Sequence, residues 1–228
     1  WWINQRRYRR SFYRICKERE VIFCKFLESP FSKDKYQKLL DGLECKERKL
    51  SDLNEELRID AEYFLKQNLL YEDLLNRHSC FVLGDISIVT DGIHDSIDYD
   101  ETSEINLISA TSPKDNYFDL TRNVHISSEQ HYKNPRTALR ENDIILSTVG
   151  TIGNCAIVSK EILPANSDRH VGIIRIKEEL TPSVVSTFLL SKYGRNQTIR
   201  ESTGNVQLNL FLYKIRAIKI PKFSSEFQ

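Results

Sequence analysis

Methionine is missing from all 228 residues, position 1 included. At a usual frequency of about two per hundred, a chain of this length would carry several, which leaves two expectations: the sequence is a piece of a longer one, or methionines have dropped out of it as written. No stretch approaches the roughly 18 apolar residues of a membrane helix, which excludes a helical span. No apolar N-terminal run with a small-residue cleavage site marks an export signal. The five cysteines, Cys16, Cys24, Cys45, Cys80 and Cys155, form an odd set without CxxC spacing. That argues against a disulfide framework or a zinc knuckle and, with no export signal, for a reducing bacterial or archaeal cytoplasm. Excess charge of either sign is also lacking: 33 Lys and Arg face 32 Asp and Glu, a net of +1. The simplest argument for nucleic-acid binding, a strongly basic chain, is therefore gone, and any basic surface must be local. What remains, 40% hydrophobic and 29% charged residues, suits a globular chain of one or two domains with a real core.

Signatures of catalysis are absent as well. There is no GxxxxGK[ST] phosphate loop and no HExxH or clustered Cys/His ligand set. Asn134-Pro135 is followed by Arg136, which fails the Asn/Asp-Pro-Pro-aromatic pattern of an amino-methyltransferase. Glu47-Arg48-Lys49 has the Glu-x-Lys spacing of a metal-dependent nuclease but falls within a heptad helix. His125 and His131 are six apart, a poor spacing for one helix face, and are expected in a loop. The acidic stretch Asp91–Glu101 brings Asp95, Asp98 and Asp100 close in sequence. It lacks the spacing and central glycine of a calcium loop, so a solvated loop is the expectation. No catalytic residue and no metal ligand is assigned.

The chain changes character near residue 78. Residues 1–78 hold one of the eight glycines and one of the six prolines, and carry 17 basic against 14 acidic residues. They are expected to be helical. Tyr36, Leu43, Leu50, Leu57, Phe64 and Tyr71 recur every seven residues, which keeps one helix face apolar over many turns. That seam either packs on its own domain or forms a coiled-coil arm that meets a partner or a second copy. Ahead of it, Arg6, Arg7, Arg9, Arg10 and Arg14 interleave with Trp1, Trp2, Tyr8, Phe12 and Tyr13. Such a mixture suits either a solvated amphipathic helix or a phosphate-tracking one.

Residues 79–222 are expected to form a mixed α/β domain, with 223–228 starting a further helix. The fold class expected is α+β, a long-helix region followed by a domain with a twisted, largely antiparallel sheet. Strands are expected at Phe81–Val89, Ile105–Ala110, Asp143–Thr148, Cys155–Ser159, Val171–Ile176 and Ile215–Ile220. A helix should start at Thr181-Pro182, run to about Lys192 and stop before Gly194; a short second one is expected over Leu208–Lys214. In Asp143–Val158 the string STVGTIG separates two apolar runs, as a tight hairpin would, with Gly150 and Gly153 supplying positive φ.

Taken in order, LGDISIVTDG (Leu83–Gly92), INLISA (Ile105–Ala110), HISSEQH (His125–His131), LRENDIILSTVGTIGNCAIV (Leu139–Val158), RHVGIIRIK (Arg169–Lys177), PSVVSTFLLSKYGRNQ (Pro182–Gln197) and STGNVQLNLFLYKIRAIKIP (Ser202–Pro221) form a recognisable series. It resembles the target recognition domain of type I restriction–modification specificity (S) subunits, which also occurs in fused restriction–methylation enzymes. The lead-in RIDAEYF (Arg58–Phe64) looks like the helix that precedes such domains. The resemblance implies a module that reads double-stranded DNA and does not catalyse. S-adenosylmethionine, and ATP with Mg in a type I complex, would belong to partners: a DNA adenine methyltransferase subunit and a restriction subunit. Family members carry two recognition domains, whereas this chain has one. That leaves two expectations: a half-length subunit that pairs with itself through the helical region, or the recognition end of a single-chain enzyme whose catalytic domains lie upstream.

Residues 79–137 hold 4 basic and 10 acidic residues, and 138–228 hold 12 and 8. The second half is therefore the expected DNA face, since phosphate neutralisation needs Lys and Arg. Base reading needs amides and guanidiniums. The candidates are Arg169 and His170 before a strand, Lys192, Arg195, Asn196, Gln197 and Arg200 at and after the helix end, and Asn205, Gln207 and Asn209 in the following loop. Lys192 and Arg200 are assigned to phosphate, and Arg169, Arg195 and Gln207 to bases. The competing reading is a protein–protein module that assembles through its heptad helix.

Overall fold

The computed structural model describes residues 58, 60, 62–177, 180–204 and 206–223, with positions 34 and 38. The chain divides between Lys49 and Leu50 into two units, and apart from those two positions the described residues belong to the second. The N-terminal basic and aromatic stretch, the heptad column from Tyr36 to Leu57 and residues 224–228 lie outside the described residues. Where the column enters them it is broken. Residues 62–64 form a turn and Leu65 is extended (φ −52°, ψ 140°), so α1, Lys66–Asn76, begins afresh after Phe64. The described part of Arg58–Phe64 is turn and irregular chain, a correction to the helix expected there.

From α1 the chain enters β1 (Cys80–Val82), a single helical turn α2 (Leu83–Ile86) and β2 (Ser87–Asp91). One strand was expected across Phe81–Val89. The turn interrupts it because Leu83 and Ile86, three residues apart, both reach the core, and the Ser87 hydroxyl closes the turn by donating to the Leu83 carbonyl at 2.5 Å. Next come β3 (Asn106–Ile108), β4 (Val124–His125), α3 (Ser128–Lys133), β5 (Ile144–Ser147), β6 (Cys155–Ile157), β7 (Ala165–Ser167) and β8 (Val171–Ile176). Then α4 (Pro182–Leu190), α5 (Lys192–Glu201), α6 (Leu212–Arg216) and β9 (Lys219–Pro221) complete the described chain. The expected strand Ile215–Ile220 is in fact the end of α6 followed by β9. His125 and His131, expected in a loop, lie on β4 and α3.

The architecture is mixed α and β with antiparallel sheets. The four-stranded sheet runs β2-β8-β5-β6, antiparallel throughout. A three-stranded sheet runs β4-β3-β7, with β3 and β7 parallel. β1 and β9 pair separately, joining the start and end of the domain. Alternate residues of a strand point to opposite faces, and here both faces are covered. Ile144, Leu146 and Ile174 pack with Val185, Leu189 and Ile215 of α4 and α6. Ile145, Ile173 and Val171 pack with Ile108 of β3 and Ala165 of β7. That is why β5 is a continuous apolar run instead of an alternating one.

Two local devices set the helices. α4 starts at Pro182, as the sequence suggests, but ends at Leu190. Ser191 then donates its hydroxyl to the Phe188 carbonyl at 2.6 Å and accepts the Gly194 N–H at 3.3 Å, capping α5. Gly194 is thus inside α5 and is no helix terminator. A Cβ there would lie 2.2 Å from the Phe188 carbonyl oxygen, so only glycine lets α5 turn back so tightly on α4. Among the described residues no helix is long and apolar enough to cross a membrane.

Candidate nucleic-acid interface

Antiparallel order brings the end of β2, the start of β8, the end of β5 and the start of β6 to one end of the four-stranded sheet. The registers Asp91↔Gly172, Ser147↔Val171 and Leu146↔Cys155 mark that end. Four connections gather there. The β5–β6 turn uses positive φ at Gly150 (74°) and Gly153 (88°), as the STVGTIG string leads one to expect. The segment Thr203–Leu210 lies against it: Leu210 N–H donates to the Thr148 carbonyl at 2.8 Å, and Val149 bridges Asn209. The β7–β8 connection joins them where Thr148 N–H reaches the His170 carbonyl at 3.1 Å. The chain after β2 packs hard against it, since a Cβ on Gly92 would fall 2.1 Å from the Asp168 carbonyl oxygen.

Asp168 shapes the β7–β8 connection. Its carboxylate accepts the His170 N–H at 2.8 Å and faces His170 Nδ1 at 3.2 Å. This leaves Arg169 exposed at the tip, its Nε 3.5 Å from His170 Nε2. Beside it Asp91 is held by His94 Nε2 at 2.6 Å and Arg136 Nη1 at 3.0 Å; Arg136 also donates to the Thr90 hydroxyl and to the carbonyls of Asp91 and Gly92. Burial pushes the Asp91 carboxyl up, but the hydrogen bonds from His94 and Arg136 outweigh it and hold the group below the usual carboxylate range. A depressed folded-state pKa adds stability above the unfolded value of about 3.9, and that stability is lost as pH falls through the folded value. Asp91→Asn should therefore be less stable than the parent near pH 6, and the gap should close on acidification below about pH 4. Urea unfolding at both pH values measures this; a gap that stays constant would mean that the charge of Asp91 contributes nothing.

The candidates read from the sequence separate into three groups. Arg169, His170, Gln207 and Asn209 come together at the sheet end. Gln207 is exposed, with its Nε2 3.9 Å from where a Gly150 Cβ would stand, and Asn209 Nδ2 donates to the Gln207 carbonyl at 3.0 Å. Asn205 lies outside the described residues. Lys192 is exposed at the opposite end of α5, its ammonium 5.1 Å from the Tyr193 ring, roughly 15 Å along the helix from Thr203.

Arg195, Asn196, Gln197 and Arg200 face inward and hold the fold. Arg195 donates to the Leu190 carbonyl at 3.1 Å and pairs with Asp115. Asn196 meets Asn68 of α1 at 2.6 Å. Gln197 donates to the Lys219 carbonyl at 3.0 Å and accepts the Lys219 N–H at 2.9 Å, a two-point clamp on β9. Arg200, only 8% exposed, reaches the Tyr63 carbonyl at 2.9 Å and Glu72 at 3.2 Å, with its guanidinium 4.0 Å from the Tyr63 ring centre. Burial next to Glu201, whose carboxylate accepts the Tyr63 hydroxyl at 2.8 Å, pushes that phenol up to about 12. Arg200 is therefore a poor phosphate ligand: freeing it would break this cluster.

The split by charge also needs correcting. β2 and β3 come from the acidic half of the domain sequence and pair with β8 and β7 from the basic half, so the halves interleave in space. Sequence reasoning overlooked Arg136, which entered only as a mismatch to a methylation motif; no local signal in the sequence ties it to Asp91, 45 residues away. In the acidic loop, Asp100 accepts the N–H and hydroxyl of Thr102, and among the described residues no three His, Cys, Asp or Glu side chains gather as a metal site.

No family model and no curated protein sequence matches the chain. Solved structures resemble it in fold. Part of the type IIG restriction endonuclease BpuSI superimposes with a TM-score of 0.54 at 8% identity, over 73% of this chain and 27% of that one. A type I S subunit from M. genitalium gives 0.46 at 10% identity over 63% and 34% of the two chains. The S subunit from Thermoanaerobacter tengcongensis gives 0.47 at 13% over 68% and 39%. The chain thus spans 27% to 39% of the length of these proteins. At such identities the likeness is one of fold, and it is with restriction–modification proteins, as the resemblance in sequence implies.

Proposed function

We propose that the chain reads a DNA sequence for a restriction–modification system, while methyl transfer and cleavage reside on partner subunits. The observation that carries the reading is the sheet-end cluster. Arg169 and His170 project from the β7–β8 connection and Gln207 from the Thr203–Leu210 segment, and both are hydrogen-bonded to Thr148 at the end of β5, so they share a common base. A guanidinium and an amide are the groups that make two-point contacts with guanine and adenine edges. Rigid support keeps such contacts from being lost to side-chain and loop ordering. Lys192, apart from the cluster, is assigned to the phosphate backbone.

A methyltransferase partner of the DNA adenine class supplies S-adenosylmethionine chemistry, with ATP and Mg needed only for a restriction subunit. The second reading, the recognition end of a single-chain enzyme, draws support from the fold shared with part of BpuSI. An Asn-Pro-Pro-Tyr motif upstream in the full gene would decide for it.

The test is selection from random duplex DNA, with and without a co-purifying methyltransferase. Arg169→Ala should relax one motif position, with about 1–3 kcal/mol less discrimination there. Lys192→Ala should leave the motif unchanged and lower the salt slope by about one unit. Selection of no motif with the partner present would sink the function. A motif unaltered by both Arg169→Ala and Gln207→Ala would sink the site.

A further inference from the structure

Both residues that flank Arg169 are fixed by their backbone. Asp168 N–H donates to the Ile108 carbonyl at 3.0 Å, and the His170 carbonyl accepts the Thr148 N–H at 3.1 Å. Their side chains extend that order towards the tip. One Asp168 carboxylate oxygen takes the His170 N–H at 2.8 Å, and the other faces His170 Nδ1 at 3.2 Å. A carboxylate only accepts, so Nδ1 is the ring nitrogen that carries hydrogen. The other side of the ring demands the same arrangement. Arg169 Nε, which can only donate, approaches His170 Nε2 to 3.5 Å, and a bond forms there only if Nε2 offers a lone pair. Two neighbours of opposite character thus select one tautomer, with Nδ1–H and an open Nε2.

The series Asp168–His170–Arg169 occupies one donor of the guanidinium and leaves its outer edge free. Among the described residues neither Nη1 nor Nη2 of Arg169 meets an acceptor. These are two coplanar donors side by side. Of the base edges in the major groove, only guanine offers two adjacent acceptors, O6 and N7; adenine and cytosine present an amino group, and thymine one oxygen beside its methyl. A phosphate also accepts two bonds, but it takes a cation from many directions and carries no sequence. A base edge takes a planar fork in one orientation, so a tether on Nε serves a base contact and is idle for a phosphate contact.

We propose that His170 is a positioning residue, set by Asp168, that holds the plane of the Arg169 guanidinium for two-point reading of one guanine in the bound duplex. The proposal rests on the DNA-reading function above and gives His170 no base contact of its own. The tautomer is the setting: hydrogen on Nε2 would face the N–H of Arg169 and turn the fork away.

Asp168→Asn reverses that setting without a change of size. The His170 backbone N–H retains the side-chain oxygen, so the new amide nitrogen faces Nδ1 and the ring hydrogen moves to Nε2. Long-range proton–nitrogen NMR spectra of the full chain at about pH 8, above the ordinary imidazole range, report the tautomer. His170 is identified by the loss of its signals in His170→Ala. The expected result is Nδ1–H in the parent and Nε2–H in Asp168→Asn. Binding to the selected duplex, and to duplexes substituted at each position, gives the second readout. Asp168→Asn should weaken the preference for guanine about tenfold at the position that Arg169→Ala relaxes, with other positions and the salt slope as in the parent. His170→Ala, which removes the acceptor outright, should relax the same position and no other. Nε2–H in the parent, a relaxed position that is not a G·C pair, or an unchanged preference in both variants overturns the positioning role and leaves the reading function standing. Equal weakening on every duplex with a lower salt slope identifies a phosphate contact and also overturns it. Failure of the parent to select any duplex overturns both.

Discussion

Gly92→Ala is expected to lose about 3 kcal/mol of stability and its DNA motif together. The added methyl would meet the carbonyl oxygens of Asp168 and Ser167 at 2.1 and 2.2 Å, and both are backbone atoms that no rotamer change can move aside. The two segments must part, which breaks the Ile93 N–H bond to the Ser167 carbonyl (2.8 Å) and the Ile93–Asp168 bridge. Arg169 and His170 hang from that joint, so their placement goes with it. Gly150→Ala is the informative comparison. Gly150 has φ 74° but open space, with only Gln207 Nε2 3.9 Å away, and should lose only about 1 kcal/mol from the left-handed backbone. Urea unfolding and motif selection on both variants test the distinction. Equal losses would mean that the Gly92 contact is easily relieved.

Asp143→Ala should lose about 3–5 kcal/mol, the range for removing one partner of a buried ion pair. Asp143 is 1% exposed and takes two hydrogen bonds from Arg175, at 2.7 and 2.6 Å, while its carboxylate also accepts the Arg140 N–H at 2.9 Å. Truncation leaves a guanidinium and an N–H without acceptors at the start of β5. Arg175 is 22% exposed on its side chain, so water relieves part of the loss and the lower end of the range applies. The double variant Asp143→Ala with Arg175→Leu should recover much of the stability, because it removes the stranded charge instead of exposing it. Thermal unfolding of the single and double variants gives the answer. A double variant no better than the single would place the value of Asp143 in its turn hydrogen bond with Arg140.

Elements decided by local pattern were legible in the sequence. β8 is found at Val171–Ile176, the expected bounds, because a run of β-branched residues buried on both sides allows little else. The β5–β6 hairpin was visible in its two glycines. α2 was not, since a four-residue helical turn is chosen by what it packs on, here Leu83 on the core; the short helix expected over Leu208–Lys214 forms as α6 at Leu212–Arg216, shifted to where Ile215 packs against Gly172. Which of the candidate side chains face solvent was not legible, for a related reason. Arg169 and Gln207 have the same composition signal as Arg200 and Gln197, and sequence does not tell a guanidinium that faces solvent from one folded over Tyr63. Gln197 is held inside because β9 is paired on one side only, by β1, and the Lys219 N–H and carbonyl need partners on the other.

The β1–β9 pairing has a consequence for the architecture of any larger chain. Lys222 N–H donates to the Ser79 carbonyl at 2.9 Å, so the chain entering β1 and the chain leaving β9 pass within one hydrogen bond of each other. A host chain carrying it between two elements would feel an insertion of more than 140 residues as little more than a short loop, because loop closure depends on the distance between the ends and not on what is folded between them. The segment from β1 to β9 is in that sense a cartridge: the loops at the far ends of its internal strands can be changed wholesale while its two ends stay side by side.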